Sequence, residues 1–508
     1  MQSKPASRAQ RVKKNIFIAV LFQIVSAAIS LILPRYILQT FGSDVNGIMQ
    51  SANQLMSYTM LLECGIVGMV MASFYLPLAS NDKKAVSDIF NNTKSFFNRV
   101  SIAFAGLVVL LAVSAKLIIN TDYDAVYVGT LVIILGINYY FNYYFGITHQ
   151  ILIKADQKIY IVQSIQIITL ILNMVVCILC IKAGAGIHAV KLISAFVFLL
   201  NPLLYRIYVK RNYDISKTVF DSKRTLPKKR DGIIHHIAYF VHRNTDVVIL
   251  SIFRGVREVS VYSVYYSITI GVENCLNAIS SGIAGAVGNM IAKKEKSTLE
   301  NVFDIYEPVN TLITSFFCTA AAILIVPFVR IYTQGVTDAD YIRPVFAYLM
   351  LASQWFYCVR IPYENVINSA GHYGQTKPGA YLEAGLNLLI SVASVHKYGI
   401  CGVAAGTMTA MMARTVYTAW YLSRNILKRS LYKFIKSTGL NFAVSVITVF
   451  VISRCTEVAS DSFINWGIDA VGVSVAVFAV LAVLSFVVNN KVYILLLKRL
   501  KARRSSHD

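Results

Sequence analysis

The stretch "VHRNTDVVIL", residues 241–250, runs from a histidine, an arginine and an aspartate straight into aliphatic residues. Its flanks are apolar too, "GIIHHIAYF" before it and "LSIF" after it. Residues 232–253 together are long enough for one bilayer-spanning helix. Arg243 and Asp246 then stand inside a span, where each charge costs roughly 2.5–3.5 kcal/mol on insertion scales. A chain keeps charges at that cost when they hold something.

Composition agrees with a membrane setting. Of 508 residues, 56% are hydrophobic and only 14% charged, against roughly a quarter charged in soluble domains. The class expected is an all-α polytopic membrane protein. The eight cysteines are scattered through apolar runs. Cys177 and Cys180 make a C-x-x-C inside "NMVVCILCI", with no histidine or second pair nearby, so they read as small helix residues and not as a metal site. The basic start (Arg8, Arg11, Lys13, Lys14) and "SAAIS" imitate a signal peptide, but the apolar run continues through "LILPRYIL". An uncleaved first span is expected.

Fourteen apolar runs can cross a bilayer. The first six lie at 15–40, 46–78, 98–120, 125–152, 158–182 and 186–208. Six more follow at 232–253, 257–291, 305–332, 341–368, 377–396 and 400–423, and a last pair at 432–453 and 465–488. With this threading, 35 of the 48 Lys and Arg fall on the side of the N-terminus and nine on the other, four being within spans. Basic loops stay in the cytoplasm, so both termini are expected there, in a cytoplasmic (cell) membrane protein. The net charge of +23 is thereby explained by topology, without nucleic acid as a partner. The basic segment 210–231 reads either as a topogenic linker or as a contact for anionic headgroups of membrane lipids.

That segment is the only long connection, and it divides the chain. The expected organisation is a six-helix lobe over 1–209, the cytoplasmic linker 210–231, a second six-helix lobe over 232–424, and two extra helices with a basic tail over 425–508. A faint repeat supports the division. "FGSDVNGIMQSANQLMSYTMLL" follows span one, and "FRGVREVSVYSVYYSITIGVENCL" follows span seven, each with Phe and an early Gly before a polar-dotted helix. Matched elements six spans apart imply a parallel repeat, an arrangement of secondary transporters with a site at the repeat interface.

Ionisable residues within spans are functional candidates by default. Arg243/Asp246 stand at i, i+3 and Arg360/Glu364 at i, i+4, so each pair shares a helix face. Glu273 is one turn from Asn277, and Glu383 one turn from Asn387. Structural ion pairing is the competing reading, above all for Arg360/Glu364. His242 and Asn244 flank Arg243, with His235 and His236 about two turns earlier, a polar stripe suited to a cavity wall. Lys191, near the start of its span, can snorkel. Glu63, alone in "LLECGIVG", and Glu273 are candidates for proton or sodium coupling. The aromatic tract "NYYFNYYF" (138–145) sits deep in span four, where it either packs or lines a groove for a sugar or a lipid tail. No G-x-x-x-x-G-K-[ST] and no H-E-x-x-H occurs, and loops on the far side are short. No enzyme, cofactor or metal is expected.

Four stretches carry a family likeness: "FGSDVNGIMQSANQLMSYTMLLECGI" (41–66), "RNTDVVILSIFRGVREVSVYSVYYSI" (243–268), "ENVINSAGHYGQTKPGAYLEAGLNLLIS" (364–391) and "GICGVAAGTMTA" (399–410). The layout resembles the multidrug/oligosaccharidyl-lipid/polysaccharide exporter superfamily, and within it the polysaccharide-repeat (Wzx-type) flippases. The resemblance implies two six-helix lobes around a cavity, alternating access, and an undecaprenyl-diphosphate-linked oligosaccharide as substrate. Partners would be that lipid and glycan polymerase or assembly proteins. Arginine's planar fork suits a diphosphate. Arg243 would then meet the diphosphate and Asp246 would hold it, with His242, Arg360, Glu364, Glu383 and Arg414 completing the substrate site. The rivals are an ion-coupled drug or cation antiporter of the same superfamily, and a non-transport membrane protein of glycan assembly.

The 35-to-9 bias generates a topology test. A single cysteine at Ser222, in an otherwise cysteine-free protein, should resist impermeant maleimide added outside and react after permeabilisation. Strong labelling from outside would reverse the topology.

Overall fold

The computed structural model describes residues 8–58, 66–216 and 245–488, and every regular element among them is a helix. Lipid offers no hydrogen bonds, so a spanning segment must satisfy its own backbone, and helices do so. The elements are α1 Arg8–Ser57, α2 Ile66–Ala79, α3 Lys83–Ile118, α4 Ala125–Ala155, α5 Ile159–Lys182 and α6 Ile187–Asn212. Then come α7 over residues 245–253, α8 Val256–Ala292, α9 Lys296–Tyr332, α10 Pro344–Ser369 and α11 Lys377–Asn425. α12 Leu431–Cys455 and α13 Phe463–Val488 close the described chain.

Two of these helices are each a pair of limbs joined at one glycine. Gly42 (φ 79°) breaks α1, and Gly399 (φ 56°) breaks α11. With each counted as two limbs, and the second limb of α1 taken together with α2, the helices fall at the fourteen expected positions. Among the described residues, nine helices are long and apolar enough to cross a membrane. The bent α8, whose parts Val256–Ser280 and Ile283–Ala292 meet at 43°, makes a tenth. The faint repeat has a backbone counterpart. Gly42 and Gly255 (φ 87°) follow Phe41 and Phe253 at the first turn of each half, and Gly184 (φ 81°) and Gly399 stand at the fifth. Left-handed backbone at four matched turns is a demand that glycine meets at no steric cost.

Two helices begin well before their apolar runs. α3 starts at Lys83, where the Asp82 carboxylate caps Ala85 N–H at 3.0 Å. Its polar first turns bury Val86, Phe90 and Phe97, four and seven residues apart on one helix face. α9 likewise starts at Lys296 and buries Leu299, Phe303 and Tyr306. A window of hydropathy sees the apolar centre of such a helix and misses its amphipathic end.

The described chain divides into two compact units, the first of residues 8–58, 66–216 and 255–260, the second of 245–254 and 261–488. In the first unit, Arg257 forks onto Asp44 with two bonds of 2.9 Å, and Asn46 donates to Ser260 Oγ at 2.7 Å. In the second, α12 and α13 pack on α9 through Ile323, Leu324, Ile452, Val473, Val477 and Leu481. Trp466 Nε1 donates to Leu324 O at 3.2 Å.

The two limbs of α11 lie together because "GVAAG" supplies small residues one turn apart. A Cβ at Gly402 would fall 2.6 Å from Ser394 O, and one at Gly406 2.3 Å from Ser391 Oγ. Small-xxx-small seams of this kind let spans approach to backbone contact. Gly406→Leu should therefore cost most of the folded protein in detergent, read by size-exclusion profile and melting temperature. Gly439→Ala, where an added Cβ meets nothing within 4 Å, should leave both unchanged. Equal behaviour of the two variants would remove the seam from the account.

Candidate functional site

The second unit gathers four of the candidate residues into one buried cluster. Arg360 and Glu364 come from α10, Glu383 from the first limb of α11 and Arg414 from the second. Arg360 Nε meets Glu364 Oε1 at 3.0 Å, one helical turn away, while its Nη1 donates to Glu383 Oε1 at 2.8 Å. Arg414 Nε lies 3.8 Å from Glu383 Oε2, and Arg414 Nη1 donates to Thr376 O at 3.0 Å. The Arg360 side chain is 4% exposed and that of Glu364 29%, so the cluster is buried at the arginine and reaches the unit's surface at Glu364. Tyr357 offers its ring to Arg360 at 5.1 Å. Gly379 makes room for Arg414, whose Nη1 stands 2.3 Å from where a Cβ would be. Two arginines against two glutamates leave the described cluster balanced in charge.

A second polar centre is one turn along the same limb. Asp246, on α7 and 5% exposed, accepts from Asn387 Nδ2 at 3.3 Å, Thr407 Oγ1 at 2.7 Å and the Tyr262 hydroxyl at 3.2 Å. Asn387 Nδ2 also donates to Thr407 Oγ1 at 2.8 Å, and its buried Oδ1 has no hydrogen-bond partner among the described residues. Glu383 and Asn387 thus serve neighbouring centres from one helix face. Glu273, buried on α8, accepts from Asn277 at 3.4 Å and Gln354 at 3.5 Å. His242, Arg243 and Glu63 lie outside the described residues. The expected Arg360/Glu364 pair is present, and Glu383 and Arg414 join it across helices.

Residue spacing alone missed three participants. Thr407 and Tyr262 carry no charge and stand far from Asp246 in sequence. Arg429 counted only as one of the basic loop residues. It lies between α11 and α12, with Nη1 2.7 Å from Glu307 Oε2 and Nη2 2.6 Å from the Tyr363 hydroxyl, which also bonds Glu307 Oε1. Burial alone would lower the Arg429 pKa, but Tyr363 and Glu307 outweigh it and raise it above its ordinary value. This cluster ties α12 to α9 and α10. Between the same three helices runs an apolar groove of about 400 Å³, with Trp355, Phe442 and Phe450 in its wall and Arg454 among its lining.

The charged cluster predicts its own energetics. Removing one member of a buried ion pair costs about 3–5 kcal/mol, because the partner's charge is left unmet. Arg360→Leu should show a loss of that order in a melting or denaturant assay. Adding Glu383→Gln should return a substantial part of it, a coupling that a double-mutant cycle measures. Additive losses would mean that the two side chains do not sense each other.

No family model matches the chain, and no curated protein matches it by sequence. Solved structures do. The chain is similar to "Lipid II flippase MurJ, inward closed conformation", with TM-score 0.69 and 14% identity over 92% of this chain and 99% of that one. It is also similar to the MATE multidrug transporter DinF-BH, with TM-score 0.60 and 16% identity over 85% and 100%. A multidrug resistance MATE family transporter of the MOP superfamily, inward-facing, gives TM-score 0.59 and 12% identity over 79% and 94%. The chain is an all-α polytopic membrane protein with the fold of the multidrug/oligosaccharidyl-lipid/polysaccharide exporter transporters.

Proposed function

We propose that this protein is a transporter that turns an undecaprenyl-diphosphate-linked oligosaccharide from the inner to the outer leaflet of the cytoplasmic membrane, by alternating access and without ATP. The observation that carries the reading is the buried pair Arg360 and Arg414, held inside membrane helices by Glu364 and Glu383. A diphosphate needs fixed cations in a low-dielectric site, and guanidinium forks match its oxygens. An empty site needs counter-charges that can be exchanged. Glu364, the most exposed member, is the one a diphosphate displaces first.

Other features favour the same substrate. The groove beside Trp355 and Phe442 is apolar, as an isoprenoid chain requires, and one of the similar structures carries the name of a lipid flippase. The rival, an ion-coupled antiporter for cationic drugs, would call for net acidity, and the described cluster is balanced. Asp246 accepts hydrogen bonds from Asn387 Nδ2, Thr407 Oγ1 and the Tyr262 hydroxyl. A carboxylate kept within a membrane helix is a candidate to take up a proton or a small hard cation such as sodium, so ion coupling belongs to the proposal. The termini are assigned to the cytoplasm and glycan assembly proteins to the partners.

Arg243→Ala should abolish surface glycan while the amount of protein in the membrane stays nearly the same. Lysine there should restore part of the activity, since it keeps the charge and loses the fork. Leaflet-resolved detection of the lipid-linked glycan, in cells without other flippases, is the deciding measurement. Outward appearance undiminished in R243A would remove that residue from the site, and undiminished appearance without the protein would remove the function.

A further inference from the structure

The tract "NYYFNYYF" does two things at once. Tyr143 is buried and packs against Phe97 and Phe104. Asn138, Tyr139 and Asn142 instead line a cavity of about 270 Å³ in the first unit, among α4, α5 and α6 and open to the surface at Asn142. Five side-chain amides converge there, from Asn138, Asn142, Gln150, Gln166 and Asn201, and none of the lining residues is charged. Tyr139, Phe198, Pro202 and Tyr205 complete the wall.

The local backbone explains how α4 supplies three of the amides. Asn138 and Asn142 are one turn apart. The next turn, Asn142–Gly146, is a π turn, in which Ile147 N–H bonds Asn142 O five residues back. On an unbroken α-helix, at about 100° per residue, Gln150 would point roughly 120° away from Asn138. The π turn inserts one residue and brings that angle to about 20°. Gly146 lets the Asn142 side chain and α6 lie close to this turn, since a Cβ there would fall 2.8 Å from Asn142 Oδ1 and 3.2 Å from Pro202 Cβ. Such turns are common at functional sites.

Amides facing a cavity within a membrane protein carry an open demand. Asn201 Oδ1 accepts from Thr169 Oγ1 at 2.7 Å. The side chains of Asn138, Asn142 and Gln166 make no hydrogen bond to any described residue. Each presents one acceptor and two donors. A diphosphate would find no cation there, and a metal ion no carboxylate. A ring bearing several hydroxyls matches both donor and acceptor faces, and its C–H face matches the aromatic wall. The volume falls just below the roughly 300–1,000 Å³ of pockets for drug-sized ligands, which suits a single ring and not a chain of them.

We propose that the first unit holds a subsite for one neutral sugar ring of the cargo, apart from the charged cluster of the second unit. The proposal rests on the lipid-linked oligosaccharide reading given above, and its test separates the two. Full-length purified protein is titrated with undecaprenyl diphosphate and with the same lipid carrying one N-acetylhexosamine. The sugar should tighten binding by about tenfold, the worth of one or two net hydrogen bonds. In the pair Asn138→Leu/Gln166→Leu that advantage should vanish while affinity for the bare lipid holds, with an unchanged melting temperature certifying the fold. An advantage that survives in the variant, or is absent from the wild type, overturns the subsite. Should neither lipid bind the wild-type protein, the flippase reading falls. A second arm then decides the subsite alone, by saturation-transfer NMR with free methyl hexosides at millimolar concentration. Transfer that the double variant abolishes supports it, and no transfer to the wild type means a cavity filled by water only.

Discussion

A guanidinium placed in a membrane helix must bring its counter-charge with it, because lipid supplies none. Arg360 meets that condition twice, through Glu364 on its own helix and Glu383 on the next. Much of the second unit follows from it. Glu383 must sit on a limb close enough to α10 to reach Arg360, and it must also answer Arg414 on the limb that returns. Gly402 and Gly406 bring those limbs together, and the same approach carries Asn387 and Thr407 to Asp246. Charge, seam and second polar centre are one arrangement.

The two units differ in the chemistry they offer. The second has paired charges, a carboxylate among neutral hydrogen-bond donors, and an apolar groove. The first has a cavity lined by amides and rings, without a formal charge. A lipid-linked saccharide is a molecule with the same divisions: a doubly negative link, a neutral polyol and a long hydrocarbon. A small cationic drug has no need of so many kinds of surface. The proposed function rests on this match of parts as much as on the arginines.

The reach of the sequence is clear when individual residues are followed. Apolar length placed the helices, since a bilayer sets one dimension that every span must satisfy. Helix-face spacing found Arg360/Glu364 and put Glu383 with Asn387, because i, i+4 neighbours touch in any helix. It could not pair Glu383 with Arg360 or Arg414, which depends on how three helices meet. Thr407 and Tyr262 gave no sign, being ordinary polar residues in apolar surroundings. In "NYYFNYYF" the rings drew attention, whereas the asparagines at i, i+4 were the signal for the cavity. The π turn left only a glycine behind it. The amphipathic starts of α3 and α9 were hidden because their buried residues alternate with charges at helical spacing.

The single-glycine turn at Gly399 bears on how the protein is made. The limbs of α11 are joined with no loop between them, so they can leave the translocation channel as one helical hairpin. Glu383 is on the first limb and Arg414 on the second, 3.8 Å apart once folded. A hairpin entering whole presents that pair to the bilayer with its charges opposed, whereas limbs entering one after the other would expose each in turn, at roughly 2.5–3.5 kcal/mol apiece. The tight turn thus couples the order of synthesis to the neutrality of the charged cluster: α10 has already brought Arg360 for the first limb's Glu383, and the second limb, as it completes the hairpin, adds Arg414.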